Sequence, residues 1–136
     1  MPCGKTHTKI TYWCCLPLAT MVFYFFGFMI AISFLISFIF AGQMFNGDLD
    51  VKSDPYKRWG ILRFIWIPYQ NFKHRSFYTH GFIIGTLIRL LWVCLPIAIL
   101  LFILDLSVVY LLVDNIDIVL AVLIGLESGA MSHSIA

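Results

Sequence analysis

Between Ile10 and Gly47 the sequence has no charged residue, a run of 38 positions. Leu90 to Leu104 is also uncharged, and only Glu127 breaks the stretch from Ile118 to Ala136. The whole chain is 12% charged and 61% apolar, where a soluble domain has about 25% and about 45–50%. That scarcity excludes an ordinary soluble domain, because uncharged runs of about 18 residues or more mark membrane-crossing helices. The first run also exceeds the roughly 7–15 apolar residues of a secretory signal. Cysteine is sparse too: Cys3, Cys14, Cys15 and Cys94 form no Cys-x2-Cys pair, which argues against a thiolate zinc site or a disulfide framework. They read as small apolar packing groups, with palmitoylation near a membrane face as the weaker alternative. Internal repeats, low-complexity stretches and a Gly-rich phosphate loop are absent from the sequence.

What charge there is has a pattern. Lys5 and Lys9 lie in the N-terminal tail, and Lys52, Lys57, Arg58, Arg63, Lys73 and Arg75 lie in the central loop. The connection at 105–117 has Asp105, Asp114 and Asp117 and no basic residue. The positive-inside rule puts the tail and central loop on the cytoplasmic (or, in a plastid, stromal) side and the 105–117 turn opposite. As one helix the first run would extend about 57 Å at about 1.5 Å per residue, against a hydrocarbon core of about 30 Å. Two helices turning near Gly27 fit better, with a single tilted helix as the alternative. Pro17 and Pro96 are expected to kink their helices. The expected fold is all-α: one membrane domain over residues 1–136, with helices at about 10–27, 28–46, 80–104 and 116–136. These form two hairpins with both termini on the basic side, in a bacterial plasma or thylakoid membrane.

The 47–79 segment is the only sizeable polar connection, and it is rich in aromatics around Trp59, Phe64, Trp66 and Tyr69. It is too short to span and reads as an interfacial element or a lid, readings that are compatible. Basic residues beside a membrane suit anionic lipid, so the expected partner is the bilayer and not nucleic acid.

Histidine and aspartate then stand out by position. His7 precedes the first run, Asp48 and Asp50 follow it, His74 and His80 precede the next, and His133 ends the last. Imidazole nitrogen with carboxylate oxygen is the ligand set of zinc, manganese or iron. An even number of crossings between these clusters brings them all to one face. Each member alone is weak: Asp-x-Asp is commonly a solvated loop, and interfacial histidines are common. Two charges lie deeper. Arg89 is nine residues beyond His80 and Glu127 six before His133, about 13.5 and 9 Å along a helix. A buried Arg89–Glu127 ion pair is expected, with Glu127 as a metal ligand or proton carrier as the alternative.

The chain resembles a cyanobacterial family of uncharacterised metal-binding membrane proteins. The likeness rests on Gly4-x-Thr6-His7 with Ile10-Thr11, Gly47-Asp48-Leu49-Asp50 and Tyr56-Lys57-Arg58-Trp59-Gly60. It continues through His74-Arg75-Ser76 with His80-Gly81, and Gly125-Leu126-Glu127 with Ser132-His133. More distantly it is similar to membrane-bound metal-dependent hydrolases. The resemblance implies His7, Asp48, Asp50, His74, His80 and His133 as metal ligands. It also expects an aspartate four residues after His133, which would be position 137, one beyond Ala136; catalytic competence under the resemblance turns on that residue. Asn46 and Thr79 stand where the family has proline and serine.

Two functions follow as expectations. In one, a divalent metal activates water and polarises a phosphoryl or acyl oxygen of an amphiphile reaching the site from the interface, with His80 or a free carboxylate as base and Arg75 facing the substrate's negative charge. In the other, the chain is a non-catalytic accessory subunit of a larger membrane complex, a photosynthetic one among the candidates.

Overall fold

The computed structural model describes residues 4–74, 76–103 and 109–135, without the side chains of Gly4, Lys5 and His7. Every element among them is helical. Helix α1 (Gly4–Phe26) and α2 (Phe28–Met44) are separated by a single residue, Gly27. Its φ of 84° lies in the left-handed region that glycine adopts without steric cost. A glycine with no polar neighbour is a weak turn signal, yet the chain doubles back here. Thr11 near the start of α1 lies against Gly42 near the end of α2, and Cys15 packs with Phe34 and Phe38. Helix α1 begins about six residues before the expected start and runs through Pro17.

The 47–79 connection is not an open loop. It holds a 3-10 turn at Gly47–Asp50, helix α3 (Asp54–Arg58), 3-10 segments at Gly60–Trp66 and Pro68–Asn71, and helix α4 (Phe77–His80). Aromatic rings organise it. Phe45, Trp66 and Tyr69 are buried in one core, with ring centroids 5.8 Å (Phe45–Trp66) and 5.5 Å (Trp66–Tyr69) apart. Trp59 Nε1 donates to the Met44 carbonyl at 2.7 Å and Trp92 Nε1 to that of Ile65 at 3.0 Å. These bonds tie the segment to the end of α2 and to the middle of the Ile84–Ile103 helix. Its other face is apolar and exposed: Ile61 is 90% exposed, with Leu62, Phe64 and Ile67 beside it.

Helix α5 (Ile84–Ile103) starts later than position 80, because Gly81–Ile83 breaks it from α4. Ile83 holds φ at 62°, costly for a β-branched residue. A short helix, α6 (Val109–Asp114), precedes α7 (Ile116–Ile135). Four helical stretches are long and apolar enough to cross a membrane: Thr8–Phe26, Phe28–Asp50, Ile84–Ile103 and Ile116–Ile135.

The centre of the bundle is α2 against α7. Helix α2 buries Ala31, Phe34, Ser37, Phe38, Ala41 and Gly42, a stripe at spacings of three and four. Helix α7 answers with Ala121, Gly125, Gly129 and His133, each four residues from the last. Added Cβ atoms would strike Ser37 at Gly125 and the Phe38 backbone at Gly129. Small residues at four-residue spacing let membrane helices approach backbone to backbone. Because Phe34 neighbours Gly125 and Phe38 neighbours Gly129, the two helices run in the same direction. His133, one turn past Gly129, is thereby delivered to the residues just after α2. By contrast α5 buries only Gly85, Thr86 and Arg89, and α6 buries nothing among its residues.

Candidate metal centre

The site is built where α2 ends. Asn46 caps the 3-10 turn: its side-chain oxygen accepts from Asp48 N at 3.1 Å and its amide donates to the Gly42 carbonyl at 3.1 Å. Leu49, fully buried, anchors the turn in the aromatic core. Asp48 and Asp50 flank it and face the histidines. Gly47 is the seat of the His80 ring, since a Cβ there would lie 2.7 Å from the imidazole carbons.

Asp48 stands between two histidines from separate helices, α4 and α7. Its Oδ1 is 3.2 Å from His80 Nε2 and its Oδ2 is 3.0 Å from His133 Nε2. Asp50 Oδ1 is 2.8 Å from His74 Nδ1, and Asp50 Oδ2 is 3.8 Å from His80 Nδ1. The His74 and His80 rings meet edge to face at 5.3 Å. One donor atom each from Asp48, His74 and His80 lie within 4.8 Å of one another. Bonds of about 2.0–2.2 Å put donors around one ion roughly 3.3–4.2 Å apart, so a small side-chain adjustment closes the set. Asp50 Oδ2 is buried without a hydrogen-bond partner among the described residues, a costly state for a carboxylate oxygen that a cation relieves. The donor set of nitrogen and oxygen, with an orphaned buried oxygen, fits a divalent metal. Burial falls from Asp50 and His133 to His74, so the cluster opens on the His74 side.

The side chains of His7 and Arg75, both expected at this site, lie outside the described residues. Asp48, Asp50, His74, His80 and His133 are brought together. Arg89 and Glu127 do not pair directly. Arg89 is buried and donates to the Thr79 carbonyl at 2.7 Å and to Thr86 Oγ1 at 2.8 Å, with its guanidinium 5.7 Å from the Phe45 ring centre. Glu127 instead accepts from Ile83 N at 2.9 Å and holds the break between α4 and α5. Backbone groups around that break hold Glu127 and, together with the Thr86 hydroxyl, Arg89. Tyr69 lies beside Arg89, and burial pushes its phenol up from the ordinary tyrosine range, so it stays neutral. Sequence reasoning missed the seat at Gly47, the capping role of Asn46, the position of Thr79 and the Gly125–Gly129 stripe. The last was readable as Gly-x3-Gly in an apolar run. The described cysteines, Cys14, Cys15 and Cys94, are free thiols.

The comparisons agree with this chemistry. The chain belongs to the family described as "Uncharacterized metal-binding protein (DUF2227)", whose model matches residues 2–136. It is similar to an "Uncharacterized protein" of Aquifex aeolicus (strain VF5), 34% identical over 62 residues. That alignment covers 45% of this chain and 44% of the relative, so the chain matches less than half of that protein's length. No solved structure matches the chain.

Proposed function

We propose that this member of the metal-binding family holds a divalent transition metal (zinc, manganese or iron) at Asp48, Asp50, His74, His80 and His133. The centre sits at one face of a four-span membrane bundle arranged as two hairpins. Both termini and the 47–79 segment face the cytoplasm or stroma, by the positive-inside rule, in a bacterial plasma or thylakoid membrane. The observation that carries the reading is the Asp48 carboxylate, with one oxygen toward His80 and the other toward His133. A metal bound there supplies a Lewis acid and an activated water, which suits hydrolysis of a phosphoryl or acyl group. His74, on the open side, is flanked in sequence by the exposed apolar residues Phe72, Phe77 and Tyr78, so an amphiphile from the interface is the substrate class that fits. A carboxylate oxygen left free of the metal is the candidate base and Arg75 the candidate anion partner.

The test is metal content after purification in detergent and dialysis. The wild-type chain retains metal, and Asp48→Asn and His80→Ala lose it with helicity unchanged. Equal metal in all three would remove the reading.

A second reading, as an accessory subunit of a larger membrane complex, has its own support. Apart from half-buried Leu101, the second half of α5 and all of α6 are exposed, leaving a long apolar surface for lipid or a neighbouring subunit. Purification in mild detergent as a larger assembly, with substitutions on α5 such as Ile99→Trp releasing the monomer, favours this reading; a monomer in every mild detergent counts against it.

A further inference from the structure

We infer that Thr79, pinned by Arg89, fixes which ring nitrogen of His80 faces the metal. The inference rests on the metal-centre reading above and assigns positioning roles to two residues that do not themselves reach the site. Thr79 is fully buried and directly precedes His80. Its hydroxyl has three neighbours: the Ser76 carbonyl at 3.3 Å, the Ser76 hydroxyl at 3.4 Å and His80 Nδ1 at 3.0 Å. A hydroxyl has one hydrogen and a carbonyl can only accept. If the hydrogen goes to Ser76, the Thr79 oxygen presents a lone pair to Nδ1. The neutral His80 ring then carries its proton on Nδ1 and leaves Nε2 bare. Asp50 Oδ2, 3.8 Å from the same nitrogen, favours that arrangement too. Bare Nε2 faces Asp48 Oδ1 at 3.2 Å. Two lone pairs in opposition repel unless a cation sits between them, and 3.2 Å is close to the separation of two donors on one ion.

Arg89 makes the arrangement rigid. Its guanidinium clamps the Thr79 carbonyl and the Thr86 hydroxyl together, across the close approach that Gly85 permits: a Cβ there would lie 2.9 Å from the Thr79 oxygen. The planar fork spans both acceptors at once, which a lysine ammonium does not reproduce. The Thr79–His80 turn is thus held from below by α5 while the Gly47 seat holds the ring from above.

The experiment reads the ring directly. Protein labelled with nitrogen-15 at histidine is loaded with zinc and studied in micelles, at a pH well above the ordinary imidazole range. Long-range proton–nitrogen NMR spectra report which nitrogen is protonated, with His80 identified by the signal lost in His80→Ala. The expected result is protonation at Nδ1 in the wild-type chain and a mixture in Thr79→Val. Zinc affinity of Thr79→Val falls about 10–100-fold, the usual effect of losing an outer-shell partner. Thr79→Ser restores both readouts, and Arg89→Lys weakens zinc binding in the same direction as Thr79→Val. Protonation of wild-type His80 at Nε2 would overturn the proposal, as would full zinc affinity in Thr79→Val. The wild-type spectrum and Thr79→Ser keep the test decisive even if Thr79→Val folds poorly. Protonation at Nδ1 in a chain that binds no zinc would uphold the Thr79 device and remove the metal reading instead.

Discussion

At the scale of single residues, the site depends as much on what is missing at Gly47 as on its ligands. The His80 ring occupies the space of a Cβ at that position. Gly47→Ala should therefore displace the ring and weaken metal binding while leaving the long helices intact. The overpacking penalty is about 1–3 kcal/mol, and titration with cobalt followed by its absorption bands would measure the affinity. Unchanged cobalt affinity would mean the ring does not need its seat. Glu127 offers a second test. It accepts a hydrogen bond from Ile83 N at a residue held in a strained conformation. Glu127→Leu should lower thermal stability by about 0.5–1.5 kcal/mol, the worth of an exposed hydrogen bond, and Glu127→Gln should recover most of it. Equal loss in the two variants would show that the acceptor oxygen is not what matters. Legibility at this scale was uneven. The ligand types at Asp48, Asp50, His74, His80 and His133 stood out because polar residues are few beside uncharged runs. The partners of Arg89 and Glu127 did not, because two of them, the Thr79 carbonyl and Ile83 N, are backbone groups around a break in apolar sequence, at Gly81–Ile83, that carries no polar signal.

At the scale of elements, α7 is a ruler. Ala121, Gly125, Gly129 and His133 lie on one face at four-residue spacing, so the stripe that sets the distance to α2 also delivers the ligand. Enlarging Gly129 should thus act at a distance. Gly129→Leu should push α7 off the Phe38 backbone, carry His133 away from Asp48 and reduce both thermal stability and metal affinity. Leu123→Ala, on the exposed face of the same helix, should leave metal affinity unchanged. Metal loss in Leu123→Ala, or full retention in Gly129→Leu, would contradict the ruler. The long helices were readable from run length alone, and Gly27 from the mismatch between 38 uncharged residues and one membrane thickness. The 3-10 turns at 60–71 were not readable: they follow from Trp66 and Tyr69 packing on Phe45 and Trp92, contacts between residues distant in sequence.

At the scale of the whole molecule, α2 and α7 run in the same direction and end at the same cluster. In the proposed reading the metal centre is confined to one end of the bundle. Cysteine scanning in a cysteine-free background checks the sidedness. Lys9→Cys and Lys73→Cys should react with a membrane-impermeant maleimide from the same side, and Asn115→Cys from the other. Reaction of the Lys9 and Lys73 variants from opposite sides would contradict the two-hairpin arrangement.

The central claim is that Asp48, Asp50, His74, His80 and His133 hold one divalent metal through nitrogen and oxygen alone. X-ray absorption at the zinc edge of the zinc-loaded chain tests it most directly. The account predicts a shell of nitrogen and oxygen at about 2.0–2.2 Å, with the outer-shell scattering of at least two imidazoles and a weaker imidazole signal in His133→Ala. A sulfur shell at about 2.3 Å, or a spectrum unchanged by removal of His133, would contradict it.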